Sequence, residues 1–204
     1  DIHGLVHEGR DVDMNPIKSE FAQRSDLRTL ADVIPDADLF LGLSGPGVLS
    51  PELVSTLAAR PIIFALANPT PEILPDLARE AAPDAIIATG RSDFPNQVNN
   101  VLCFPFIFRG ALDVGATVIN DEMQIACVSG IAALARATTS AEAAAAYQGE
   151  QMTFGADYLI PKPFDPRLIG VVSSAVAKAA METGVATRPI EDLDAYKQKL
   201  DGSV

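Results

Sequence analysis

The sequence is poor in aromatic residues, cysteine and histidine, and its charge is strongly one-sided. Its 204 residues contain no tryptophan, two cysteines and two histidines, and 27 acidic residues outnumber 15 basic ones to give a net charge of -12. Because a phosphate backbone is bound by clustered lysine and arginine, this balance argues against a nucleic-acid partner. So few cysteines and histidines also exclude a disulfide framework and a zinc site of the usual spacing.

Long apolar runs are also lacking. No run reaches the roughly 18 residues typical of a membrane-spanning helix, so we expect neither a membrane partner nor a signal peptide. The two thiols, Cys103 and Cys127, lie in apolar surroundings and favour a reducing, cytoplasmic location. The chain begins at Asp1 without an opening strand–glycine-loop–helix unit, so we expect it to be part of a longer protein whose N-terminal part is missing.

What is present is a globular pattern, because 48% of the residues are hydrophobic. Short apolar runs alternate with helical patterns, which predicts an α/β fold with a doubly wound parallel sheet, Rossmann-like and incomplete at its N-terminus. We expect residues 1–185 to form this domain and 186–204 to form a C-terminal tail or a linker. The predicted strands are 38–42, 61–66 and 85–89, with a strand tail or hairpin arm at 2–7. The predicted helices begin near Ser50 or span 72–82, 97–113 (kinked or broken by Pro105), 121–137, 140–147 and 166–182.

Three polar motifs each follow a predicted strand: GLSGPG (42–47), ANPTPE (67–72) and TGRSDFPNQVNN (89–100). In an open parallel sheet, ligands bind at the carboxyl ends of the strands, so we expect one shared cleft. In the first motif, Ser44 and Gly45 are candidate cofactor-binding residues, although a tight turn into the next helix explains the glycines equally well.

Several polar residues allow a structural reading beside the functional one. Asn68 either caps the next helix or faces a ligand, and Asp1 either accepts hydrogen bonds from an adenosine ribose or lies in a surface turn. The amides at 96–100 either bind something or tie their loop to itself, since an unpaired buried amide costs about 1–3 kcal/mol. Asp93 and Asp113 fit a cap or an ion pair better than a metal site, and His3 and His7 fit the surface.

The runs ANPTPE, ATGRSDFPNQVNNVLCFPFIFRGALD (88–113) and INDEMQIA (119–126) resemble the cofactor-binding domain of malic enzymes. The likeness is greatest to the large bacterial type, which carries a phosphotransacetylase-like C-terminal domain. DIHGLVHEGR at the start and RPIEDLDAY (188–196) are similar to that family too. The resemblance covers nearly the whole chain.

The resemblance implies oxidative decarboxylation of L-malate to pyruvate and CO2 by an oxidoreductase that uses NADP or NAD. It implies that Asn68 and Asn100 reach substrate and nicotinamide, with Asn99 beside them, and that neutral amides form the floor of the cleft. The family's tyrosine, lysine and acidic ligands for Mg2+ or Mn2+ belong upstream of Asp1, so we assign no catalytic residue and no metal ligand here. The chain alone is expected to be inactive, and the whole protein to be a homodimer or a larger homo-oligomer.

Asp1 and Lys18 favour different cofactors. Asp1 favours the free 2′-hydroxyl of NAD, because a 2′-phosphate would be repelled. Lys18 can bind that phosphate, and the large bacterial relatives commonly use NADP, so we favour NADP. Two other readings remain: a non-catalytic nucleotide-binding or oligomerisation module of the same fold, and a different dehydrogenase, which would lack ANPTPE followed by GRSDFPNQVNN.

Overall fold

The computed structural model describes residues 1–138, 144 and 152–202. The chain forms two compact units, Asp1–Gly90 and Arg91–Val204. The helix predicted at 140–147 lies outside the described residues apart from Ala144. The boundary predicted at residue 185 stays a prediction about the whole protein.

The first unit contains a three-stranded parallel sheet in the order β1-β2-β3, which confirms the predicted α/β class. The strands are β1 (Leu39–Gly42), β2 (Ile62–Ala65) and β3 (Ile86–Thr89), all within the predicted runs. Residues 2–7 do not form the predicted strand: the Gly4 N–H donates to the Asp1 carbonyl in a turn, and His7 makes only an isolated bridge to Gln23.

Short helices surround this sheet. They are α1 (Pro16–Phe21), α2 (Leu30–Val33), α3 (Pro51–Val54) and α4 (Pro75–Ala81). The predicted start of α3 is confirmed, because the Ser50 side chain accepts from the Leu53 N–H and Pro51 occupies the first turn. The predicted start of α4 at residue 72 is wrong: the helix begins at Pro75, since Glu72 bonds to neighbouring loops instead. The core of this unit includes Leu49, Val54, Ile63, Ala65 and Ile87, all at most 4% exposed.

The second unit is helical. It contains a 3₁₀ helix (Asn100–Leu102), α5 (Phe104–Asp113), α6 (Asp121–Arg136), α7 (Arg167–Glu182) and α8 (Leu193–Asp201). The helix predicted over 97–113 is therefore two elements, with Pro105 in the first turn of α5, where its missing N–H costs no helical bond. The predictions of α6 and α7 are confirmed.

The core of the second unit is built on α7. Leu168, Val172, Val176 and Ala180 are fully buried at helical spacing. Gly110 lets α5 approach α7 closely, because a Cβ at this position would lie 2.4 Å from the Ser173 carbonyl oxygen of α7. No helix in residues 1–138 and 152–202 is long and apolar enough to cross a membrane.

Candidate functional site

The buried carboxylate of Glu72 joins two of the three polar loops. Its Oε1 accepts from the Ser44 N–H (2.8 Å) and the Ser44 hydroxyl (3.0 Å), and its Oε2 accepts from the Ala67 N–H (3.1 Å). The Glu72 side chain is fully buried, and a Cβ at Gly42 would collide with it. The loops after β1 and β2 are thus held in one arrangement by a single side chain.

The charge on Glu72 is set by these contacts. Burial alone would raise the pKa of this carboxyl, but the N–H groups of Ser44 and Ala67 favour the ionised form and leave the pKa below its ordinary value of 4.5. Glu72 is therefore an anion at neutral pH. The sequence gives no sign of this role, because its pattern predicts that Glu72 begins a helix.

The glycine-rich loop after β1 leaves open space where a ligand can approach. A Cβ built on Gly45 or Gly47 meets no atom within 4 Å, so neighbouring packing does not require either glycine. Gly47 has φ +71°, which accounts for that residue by backbone conformation. Gly45 has no such reason, and open backbone at this position fits the close approach of a ribose or phosphate. Ser44 already donates both its hydrogens to Glu72, which leaves its hydroxyl oxygen as an acceptor.

Asn68 follows β2, is exposed, and makes no hydrogen bond through its side chain among the described residues. It does not cap α4, whose N-cap residue is Leu74. A Cβ at Gly90, which follows β3, would lie 2.7 Å from the Asn68 Nδ2 and 2.9 Å from its Oδ1. Gly90 therefore makes room for the Asn68 amide.

Asp1 and Lys18, predicted to compete over the choice of cofactor, form an ion pair of 2.8 Å. Lys18 also pairs with Asp13 and lowers the pKa of that carboxyl through a hydrogen bond. Arg10, which we missed in the sequence, donates to both Asp1 carboxylate oxygens at 2.8 Å, and its side chain is 6% exposed. The cations of Arg10 and Lys18 thus lie together with the carboxylates of Asp1 and Asp13.

The amides at 96–100 have three different environments. Asn96 is buried at φ 57°; its Nδ2 donates to the Ala156 carbonyl (2.6 Å), and its Oδ1 accepts from the Leu159 N–H (2.7 Å). The Asn99 side chain accepts from the Val101 N–H and caps the 3₁₀ helix. Asn100 is exposed, with no side-chain partner in the part of the chain that the structure describes. Asn96 therefore ties the loop to residues 156–159, Asn99 ties it to itself, and Asn100 is exposed.

Charged residues near these amides pair as predicted. Arg91 donates to both oxygens of Asp93 at 2.8 and 2.6 Å, and Asp113 accepts from Arg109 at 2.6 Å. A cavity of about 530 Å³, which we did not predict, lies in the second unit between residues 92–97 and 157–164. In residues 1–138, 144 and 152–202, no three acidic, histidine or cysteine side chains are grouped so that they could hold a metal ion.

Parallel strands followed by a glycine-bearing loop and an asparagine loop are the arrangement of a Rossmann-like domain, in which nucleotides bind at the carboxyl ends of the strands. A family model described as the NAD binding domain of malic enzyme matches residues 1–147. The chain therefore belongs to the malic enzyme family, within its NAD-binding domain.

Known proteins of this family are similar over nearly the whole chain. An NAD-dependent malic enzyme of Rhizobium meliloti is 64% identical over 98% of the chain, which covers 26% of that protein. An NADP-dependent malic enzyme of Escherichia coli is 61% identical with the same coverage. The crystal structure of Entamoeba histolytica malic enzyme superposes with a TM-score of 0.79 at 32% identity, over 98% of this chain and 40% of that chain. The chain spans about a quarter of the length of these curated relatives.

Proposed function

We propose that this chain supplies the cofactor-binding side of an NAD(P)-dependent malic enzyme that converts L-malate to pyruvate and CO2. The observation that carries the proposal is the family match over residues 1–147, which includes the proposed site residues Asp1, Lys18, Ser44, Asn68 and Asn100. Asn68 and Asn100 are both exposed neutral amides, as substrate-binding groups should be.

Neutral amides suit a dicarboxylate substrate. An amide N–H donates to a carboxylate or a carboxamide, and it neither titrates nor competes for a cation. In the proposal, Asn68 and Asn100 orient malate and the nicotinamide carboxamide, and the Nδ2 of Asn99 remains a donor next to Asn100 in the sequence. When bound, the dinucleotide would supply the hydride acceptor, and Mg2+ or Mn2+ held by residues outside this chain would supply the Lewis acid that polarises the substrate.

The dinucleotide is proposed to lie along the loop after β1, where open backbone at Gly45 admits a ribose or phosphate. We propose NADP as the cofactor, because Lys18 and Arg10 place two cations near Asp1, the residue expected at the adenosine ribose. A 2′-phosphate would replace a carboxylate as the partner of Lys18. The relatives include both NAD- and NADP-dependent enzymes, so they do not decide the point.

The test is a charge substitution in the full-length protein. Asn100→Asp places a carboxylate near the substrate carboxylates, and like-charge contact of this kind costs several kcal/mol, so kcat/KM for malate should fall by about 10²-fold or more. Asn120→Asp is the control for an added carboxylate: Asn120 caps α6 by accepting from the Met123 N–H, a role that aspartate keeps, and the variant loses only an exposed bond from the Asn120 Nδ2 to Thr183. Malate-dependent NADP reduction with Mn2+ measures both variants.

The outcome separates the two candidate functions. Equal turnover in both variants would remove Asn100 from the proposal. Dinucleotide binding without any malate turnover in the wild-type protein would favour a non-catalytic nucleotide-binding module instead.

Self-association and location are further proposals. We propose a homodimer or larger homo-oligomer, supported by an exposed apolar stripe on α5 formed by Phe104, Phe108 and Leu112 at helical spacing. Light scattering on the full-length protein tests it, and a monomeric mass at micromolar concentration would contradict it.

We also propose a cytoplasmic location, since Cys103 and Cys127 are free thiols.

A further inference from the structure

Two thiols in the second unit touch each other. The Cys127 Sγ–H donates to the Cys103 Sγ over 3.3 Å, and both cysteines are free. A disulfide bond is about 2.05 Å long, so closing the pair requires the sulfurs to approach by about 1.3 Å. Cys103 lies at the junction between the 3₁₀ helix and α5, and Cys127 lies within α6.

The two thiols differ in access. Cys103 is half-buried, whereas Cys127 is 1% exposed. Burial first, and then the neighbouring Cys103, raises the pKa of Cys127 to about 12, so its thiol stays protonated in the core. An oxidant from solvent therefore meets Cys103 first, and Cys127 is positioned behind it as the second thiol.

We propose that Cys103 and Cys127 are a reversible redox pair that forms a disulfide with a peroxide as oxidant, and that closing it displaces the turn carrying Asn100. The effect on Asn100 rests on the proposed function, because Asn100 matters only as a substrate-binding residue. The formation of the disulfide does not depend on that function.

The chemistry uses one hydrogen peroxide. The Cys103 sulfur attacks a peroxide oxygen, the O–O bond breaks, and the released hydroxide takes up the Cys103 thiol proton and leaves as water, which gives a sulfenic acid at Cys103. The Cys127 sulfur then attacks the Cys103 sulfur, the S–O bond breaks, and hydroxide leaves as a second water with the Cys127 proton. Two thiols lose two electrons and two protons, and one peroxide becomes two waters.

Closure should move Cys103 more than Cys127. Cys127 is packed in the core of the second unit, among residues such as Met123 and Leu168. Cys103 makes no cap hydrogen bond through its side chain, and its backbone N–H donates to the Asn100 carbonyl at 3.1 Å. A displacement of Cys103 is therefore transmitted to the 3₁₀ helix Asn100–Leu102.

The first measurement is peptide mapping of the full-length protein after peroxide treatment and blocking of free thiols during unfolding. Trypsin cleaves after Arg91, Arg109 and Arg136, so the cysteines fall in adjacent peptides, 92–109 and 110–136. We expect these peptides to be joined, with the loss of two hydrogens, and to separate on treatment with dithiothreitol. Free or separately overoxidised cysteines, without the joined peptide, would overturn the proposal.

The second measurement is the KM for malate before and after oxidation. We expect it to rise about tenfold, since a misplacement of about 1 Å can cost up to about 10²-fold, and to recover with dithiothreitol. Cys127→Ala is the matched control: it keeps Cys103 but should show no reversible rise. A joined peptide with unchanged KM would overturn the link to Asn100. Absence of malate turnover in the reduced enzyme would instead contradict the proposed function, because the mapping does not depend on turnover.

Discussion

Replacing Glu72 by glutamine tests whether one buried charge holds the two loops together. The variant keeps the shape of the side chain but turns one acceptor oxygen into an NH2 donor. The amide should orient its oxygen toward the two Ser44 donors, which leaves the NH2 facing the Ala67 N–H that now donates to Oε2. One buried N–H then loses its acceptor.

The cost can be worked from these three contacts. A buried donor left without a partner costs about 1–3 kcal/mol. The two remaining bonds lose the assistance of a charge, which roughly doubles the strength of a hydrogen bond, so they weaken by about 1 kcal/mol together. We therefore expect the free energy of unfolding of the first unit to fall by about 2–4 kcal/mol.

Two assays measure this change. Urea denaturation followed by circular dichroism gives the loss of stability, and hydrogen exchange at the Ser44 and Ala67 amides should accelerate by about 30-fold to 10³-fold. Glu80→Gln is the control, because Glu80 is exposed on α4 and should change stability by less than about 0.5 kcal/mol. If Glu72→Gln matches Glu80→Gln, Glu72 does not fix the loops.

The effect should also depend on pH. The folded pKa of Glu72 lies below the ordinary 4.5, so the stabilisation is fully present above that value and is lost as the pH falls through the folded pKa. Glutamine has no proton to gain. The difference in stability between wild type and Glu72→Gln should therefore shrink below about pH 4.5, and a constant difference would contradict an ionised Glu72.

The remaining predictions concern single contacts. Lys18→Gln in the full-length protein should raise KM for NADP but not for NAD. The control Lys178→Gln removes only an exposed 3.7 Å ion pair on α7 and should change neither KM. An unchanged NADP preference in Lys18→Gln would remove Lys18 from the proposed site. Gly110→Ala should lower the melting temperature, because the new Cβ would lie 2.4 Å from a carbonyl oxygen of α7, and overpacking costs about 1–3 kcal/mol. Tyr196→Phe removes a 2.7 Å hydrogen bond to Asp113 and should cost about 1 kcal/mol in urea denaturation; no change would mean that α8 is held by apolar packing alone.

Local signals in the sequence were enough to predict the three strands and the two longest helices, but not α1, α2 or α8. The three strands follow from short apolar runs, and α6 and α7 follow from helical spacing with a recognisable start. The early turn at Gly4 and the late start of α4 were not predictable in this way. Both depend on hydrogen bonds, from the Gly4 N–H to Asp1 and from Ser44 to Glu72, that apolar periodicity does not report.

The proposed site residues differ in the same way. Asn68 and Asn100 each belong to a short continuous motif, ANPTPE and TGRSDFPNQVNN, that is visible in the sequence. Ser44, which donates to Glu72, lies 28 positions before it, and Arg10 donates to the Asp1 carboxylate, so neither pairing is visible before folding. Long-range partners of this kind leave no periodic signal in a single sequence.

The amide-rich loop shows why structural and functional readings of one motif need not compete. Asn96 holds the loop to a segment 60 residues later, in a left-handed conformation that asparagine tolerates better than most residues. Asn99 fixes the next turn by capping it, and Asn100 is the residue left with an unused amide. A binding side chain is effective only when its backbone is already held, since ordering it later would subtract from affinity. Asn96 and Asn99 therefore hold the loop that carries the exposed Asn100, and if Asn100 binds substrate as proposed, replacing Asn96 should weaken that binding by displacing the loop.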